Sequence, residues 1–75
     1  MIRVTVWIER VQTDFLSTAT FGTLDQAKQW IREDFRGRSK DPEFMNYGGY
    51  QVEEQVWKQL AAPQIIRTPT LEFVE

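Results

Sequence analysis

Carboxylates are the side chains best placed to do chemistry in this sequence. There are 11 Asp and Glu against 9 Lys and Arg, with no histidine and no cysteine. Without imidazole or thiol groups, His-based acid–base catalysis, cysteine nucleophiles and most zinc sites are excluded. Glu53 and Glu54 are neighbours, but in a strand they point to opposite faces, and in a helix they diverge by about 100°. Neither geometry aims both at one substrate atom. Asp41, Glu43 and Asp14 could share a loop, yet no spacing forces them together, and they read as solvated charge. Ser17 and Ser39 lack a triad partner. Gly37 and Gly48-Gly49 lack the spacing of a phosphate-cradling loop. The expectation is a non-enzyme with no metal and no cofactor.

Binding chemistry is better represented. Arg32, Arg36, Arg38 and Lys40 form a basic run that could grip phosphates or an acidic surface. Glu33, Asp34, Asp41 and Glu43 interleave with it, and cations are expected at a helix C-terminus in any case. The stretch Phe44-Met45-Asn46-Tyr47-Gly48-Gly49-Tyr50 sets aromatic and thioether side chains on a flexible segment, as interaction hot spots do. The alternative is that Phe44 and Tyr47 simply lid a small core. Trp7 and Trp57 each alternate away from an apolar strand stripe. If their strands are neighbours, both lie on a sheet face that one helix leaves bare, together with Val11 and Leu16. An exposed apolar patch of that kind marks an interface.

The elements that must position these groups begin with one strongly signalled helix. Thr23 is its N-cap, Gln26 completes a capping box, and Leu24, Ala27, Ile31 and Phe35 form an apolar stripe widened by Trp30. Lys28, Gln29, Arg32, Glu33 and Arg36 fall mainly on the other side, and Gly37 reads as a left-handed stop. Ahead of it, Ile2, Val4, Val6 and Ile8 alternate with Arg3, Thr5, Trp7 and Glu9, the period of a half-buried strand. Arg10 to Asp14 reads as a turn. Phe15, Ser17, Ala19 and Phe21 then alternate with Leu16, Thr18 and Thr20, closing an antiparallel hairpin.

Arg38 to Gly49 reads as a long loop. Tyr50 to Leu60 fits either a strand or a helix, and the preceding Gly-Gly with the apolar run further on favours a strand. Ala61-Ala62-Pro63 is a turn. Ile65, Ile66, Leu71, Phe73 and Val74 make a last strand that Pro69 confines to an edge or bulge.

The predicted order is β-β-α-β-β, one α+β domain spanning residues 1–75: an antiparallel sheet with a helix on one face, a two-layer sandwich. Its inward set is Val4, Val6, Ile8, Phe15, Ala19, Phe21, Leu24, Ala27, Ile31, Val52, Val56, Leu71 and Phe73. A chain of 75 residues buries only about 60% of its unfolded surface, and no disulfide is available to help. Five Phe, three Trp and two Tyr partly compensate.

A net charge of −2 and a pI near 5.1 argue against generic nucleic-acid binding. No apolar run approaches the roughly 18 residues of a membrane span, and the charged N-terminus is no signal-peptide core. A cytoplasmic location is expected.

The junction Phe21-Gly22-Thr23-Leu24-Asp25-Gln26-Ala27-Lys28-Gln29-Trp30 is similar to an F-x-T-x-x-x-A-x-x-W hairpin-to-helix junction of small bacterial and phage proteins. In size, mild acidity and lack of catalytic residues the chain resembles the small inhibitors of phages and mobile elements, anti-CRISPR proteins among them. That resemblance covers about ten residues and transfers no functional residue. It implies a non-catalytic protein–protein interaction module that blocks a larger host complex such as a CRISPR-Cas effector. The anchors read from the residues are Trp7, Trp57, Phe44, Met45 and Tyr47, with Glu53, Glu54, Arg36 and Arg38 supplying charge complementarity. An acidic mimic of nucleic acid would present Glu53, Glu54, Glu72 and Glu75. The alternatives are a nucleic-acid accessory protein that uses Arg32, Arg36, Arg38 and Lys40 on phosphates with Tyr47 or Tyr50 stacking on a base, and a structural homodimer.

Overall fold

The structure is a computed structural model. It describes residues 1–9, 13–56, 59–68 and 71, and the side chains of these except at 13, 14 and 60. The elements are β1 (Ile2–Glu9), β2 (Thr13–Phe21), α1 (Leu24–Arg38), α2 (Pro42–Tyr47), β3 (Gly48–Val56), β4 (Gln59–Leu60) and β5 (Gln64–Arg67). β1 lies between β2 and β3, and every pairing is antiparallel. The far edge of β3 is divided, its end at Gln55 and Val56 pairing with β4 and its start, Gly49–Val52, with β5. This is the expected α+β sandwich, but the order is β-β-α-α-β-β-β where β-β-α-β-β was expected. The ambiguous segment after Tyr50 begins as a strand, and the last strand, expected to run from Ile65 to Val74, ends at Arg67, short of Leu71.

The core lies between the sheet and α1. Alternate residues of β1, Ile2, Val4, Val6 and Ile8, meet Tyr50 and Val52 of β3, Ile66 of β5, and Ala27 and Ile31 of α1. Phe21, Trp30, Phe35 and Leu71 pack around that centre. Phe21 and Trp30 rings meet at 5.7 Å, joining the end of β2 to the helix. The capping box forms as its residues dictate: Gln26 N–H donates to Thr23 Oγ1 at 3.2 Å, and Thr23 N–H donates to Gln26 Oε1 at 3.3 Å.

Several expectations are corrected. α1 runs through Gly37 to Arg38. The last turn is held by the Arg38–Asp34 pair, by Ser39 N–H donating to Phe35 O at 2.8 Å, and by the Ser39 hydroxyl donating to Arg36 O at 3.0 Å. Those bonds make a left-handed glycine stop unnecessary. Lys28 is buried, so the polar side of the helix is narrower than its pattern implies. The long loop contains α2, whose N-cap Asp41 accepts from Glu43 N–H at 3.0 Å and is followed by Pro42.

Phe15, Leu24 and Val56 are not inward: they are 67%, 39% and 51% exposed. For Phe15 the cause is a bulge. Val6 pairs with Ser17 and Trp7 with Phe15, so Leu16 is an extra residue, and Phe15 moves to the face that Trp7 occupies. Val11, Trp57, Pro69, Glu72, Phe73, Val74 and Glu75 lie outside the described residues.

Candidate functional site

The helices cover one face of the sheet, and the other carries the side chains of interest. There β1 contributes Arg3, Thr5, Trp7 and Glu9. The facing pairs are Arg3 with Glu53, Thr5 with Gln51 and Trp7 with Gly49 on β3, and Arg3 with Thr20, Thr5 with Thr18 and Trp7 with Phe15 on β2. Ile65 and Arg67 of β5 pair with Gln51 and Gly49. Two shallow depressions cross this face. One, of about 280 Å³, is lined by Trp7, Glu9, Phe15, Gln51, Ile65 and Arg67. The other, of about 360 Å³, is lined by Arg3, Thr5, Phe15, Thr18, Gln51 and Glu53. Phe15 and Gln51 belong to both, which makes one trough with exposed Phe15 on one outer strand and exposed Ile65 on the other.

Trp7 sits on the expected face but is only 5% exposed. Its ring lies over Gly49, where a Cβ would come within 2.8 Å of Trp7 Cζ2 and 2.7 Å of the Ile66 carbonyl oxygen. The Arg67 guanidinium stacks 5.2 Å from the ring centre. Trp7 is therefore the floor of the trough, and the exposed aromatic is Phe15. The indole Nε1–H of Trp7 is buried without a hydrogen-bond partner among the described residues.

Charge on this face is arranged in opposed pairs. Arg3 Nη2 donates to Glu53 Oε1 at 2.9 Å, and Gln51 Nε2 donates to the same oxygen at 3.1 Å. Arg67 lies 3.8 Å from Glu9. Apolar groups thus lie toward the middle of this face, with paired charges toward both ends.

The other residues singled out from sequence are dispersed. Phe44 is in the core, 1% exposed, its ring edge-on to Tyr50 at 5.8 Å. It is placed there by α2, whose helical turn points it inward; it is no exposed anchor but the lid on the core. Met45 is half-buried, and Tyr47 is exposed but lines neither depression. Glu53 is buried under Arg3, while Glu54 is exposed on the opposite face of β3.

In the basic run, Arg38 Nε donates to Asp34 Oδ2 at 2.7 Å and its guanidinium stacks 5.9 Å from the Phe44 ring, so this cation holds the fold together. Arg32, Arg36 and Lys40 are exposed. The same Asp34 oxygen accepts from Tyr50 Oη at 2.7 Å, and the Tyr50 ring is fully buried, which leaves no face on which a base could stack. Burial, and then the bond to Asp34, push the Tyr50 phenol far above its ordinary range. Among the described residues no group of three or more acidic side chains is placed to hold a metal ion, and no helix is long and apolar enough to cross a membrane.

Sequence reasoning missed Phe15, Ile65, Gln51 and Arg67. Phe15 was hidden by the bulge. Ile65 and Arg67 carried a signal, since they alternate with the core residue Ile66 on a short strand. Comparison with protein-family models, with curated proteins and with solved structures finds no match to this chain.

Proposed function

We propose that this chain is a non-catalytic protein–protein interaction module that works in the cytoplasm as an inhibitor of the phage and mobile-element, anti-CRISPR-like kind. It occupies a surface of a larger host complex such as a CRISPR-Cas effector. The observation that carries this reading is the uncovered sheet face, with Phe15 and Ile65 67% and 43% exposed on either side of a trough floored by Trp7. Large apolar side chains that a small core leaves in water are stabilised when a partner covers them. Arg3, Glu9, Glu53 and Arg67 around them favour a mixed-charge protein surface over a phosphate backbone. The basic run supports nucleic-acid binding less well, because Arg38 is engaged by Asp34.

The test is a tagged pull-down from host lysate, with and without nuclease, using the wild-type chain and a Phe15→Ser/Ile65→Ser double variant. The expected result is a stoichiometric protein partner that survives nuclease and is lost with the double variant, whose circular dichroism stays native. Undiminished capture by the double variant removes the face from the proposal. A yield that collapses with nuclease moves the function to nucleic acid.

A further inference from the structure

The two margins of the sheet are finished differently. Beside β3 the edge is broken into β4, two residues long, and β5, four residues long and ending at Arg67. Short, charged edges resist pairing with other chains. On the opposite margin β2 runs for nine residues and, among the described residues, is hydrogen-bonded on one side only, to β1. From Phe15 to Phe21 it has no charge, no proline and no glycine. An uncharged stretch of edge with outward-pointing N–H and C=O groups is a template for another strand. Two exposed leucines stand at its ends, Leu16 at the bulge, 45% exposed, and Leu24 just past Phe21, 39% exposed.

We propose that β2 is a self-association edge, pairing antiparallel with β2 of a second copy about a two-fold axis at Ala19. That register uses the stretch beyond the bulge, where alternation is regular. Ala19 faces its own symmetry mate, Ser17 faces Phe21, and Thr18 faces Thr20, so residues of the helix side meet residues of the helix side. Leu16 of each copy is brought to the strand end that leads into Leu24 of the other. Three features select a second copy as the occupant. The stretch Phe15–Phe21, which lies beyond the single charge of β2 at Asp14, has no like-charge repulsion against itself and no electrostatic pattern with which to choose a foreign strand. Antiparallel self-pairing is isologous and closes after two copies. A chain of 75 residues without cysteine has oligomerisation as a ready source of stability. The two sheets become one, and both bare faces stay open on the same side, so this pairing is independent of the role proposed for that face.

Sedimentation equilibrium over a wide concentration range tests it, with the wild type, Thr18→Lys/Thr20→Lys and Ile65→Ser. The lysines stand opposite each other twice in the proposed register. The expected result is a wild-type dimer that Ile65→Ser leaves unchanged and that the lysine pair weakens by about ten-fold or more. Hydrogen exchange on the wild type adds a reading that needs no variant to fold: those amides of Ser17–Phe21 that point away from β1 gain protection as concentration rises. A monomer at every concentration overturns the proposal. So does a dimer insensitive to the lysines but lost with Ile65→Ser, which would be paired through the faces.

Discussion

Tyr50, Asp34, Arg38 and Phe44 form the contact set that fastens both helices to the sheet. One Asp34 oxygen accepts from Tyr50 and from Arg38, and the Phe44 ring lies against both Tyr50 and Arg38. Tyr50→Phe should lower stability by about 1.5–3 kcal/mol in a denaturant titration, the range for a hydrogen bond to a charged group. Alkaline pH tests the same contact. The Tyr50 phenol is raised above its ordinary value of 10.0, so its stabilising contribution is complete below that pH. Above it the unfolded phenol ionises while the folded one stays neutral, and stability falls by about 1.4 kcal/mol per pH unit. Melting curves should show this decline in the wild type and lose that component in Tyr50→Phe. At Gly49 a new Cβ would meet backbone at 2.7 Å and the Trp7 ring at 2.8 Å. Gly49→Ala should destabilise by about 1–3 kcal/mol, the usual range for overpacking, read as a lower denaturation midpoint.

The elements join by local devices that can be probed separately. Gly37 lies inside α1 with open space around it. Gly37→Ala should therefore raise stability by about 0.5–1 kcal/mol, where a left-handed cap would have made the same change destabilising. A higher melting temperature for the alanine variant distinguishes the two. α2 is entered through the Asp41 cap and left through Thr68, whose hydroxyl donates into a fan of carbonyl oxygens, Phe44 and Met45 at 2.9 Å and Gly48 at 3.1 Å. The one hydroxyl proton is shared among these acceptors, and it docks the carbonyl end of α2 on the end of β5. Leu71 follows at φ 47°, a left-handed conformation uncommon for a bulky residue. It is held by its N–H to Arg67 O at 3.1 Å and by packing on the core.

For the whole molecule, the burial map reverses two phenylalanines, since the strand period puts Phe15 inward and the loop composition offers Phe44 as an anchor. Phe44 is 1% exposed and Phe15 67% exposed. Phe44→Ala should cost about 3–5 kcal/mol, enough to unfold a marginal domain, whereas Phe15→Ser should shift stability by no more than about 0.5 kcal/mol. Chemical denaturation of the two variants checks the assignment directly. If Phe15→Ser unfolds the chain, Phe15 belongs to a core and the proposed face loses its most exposed group.

What the sequence determined by itself is local and periodic. The capping box Thr23–Gln26, the alternation of Ile2 to Ile8, the stripe of Ala27, Ile31 and Phe35, and the two-layer α+β arrangement all follow from spacing, because side-chain direction repeats with the backbone. Asp41-Pro42 also spelled a helix start, a cap followed by proline at the first helical position, although its turn-forming composition concealed it. Tertiary structure decided what depends on a neighbour. The bulge at Leu16 exists only against β1, and it turns Phe15 from core to surface. Phe44 is core because α2 docks on Gly48, where a side chain would strike its ring. Arg38 and Glu53, both available as free charges in the sequence, are taken up by Asp34 and by Arg3. Which face stays bare, and which residues stand on it, rests on such pairings between residues far apart in the chain.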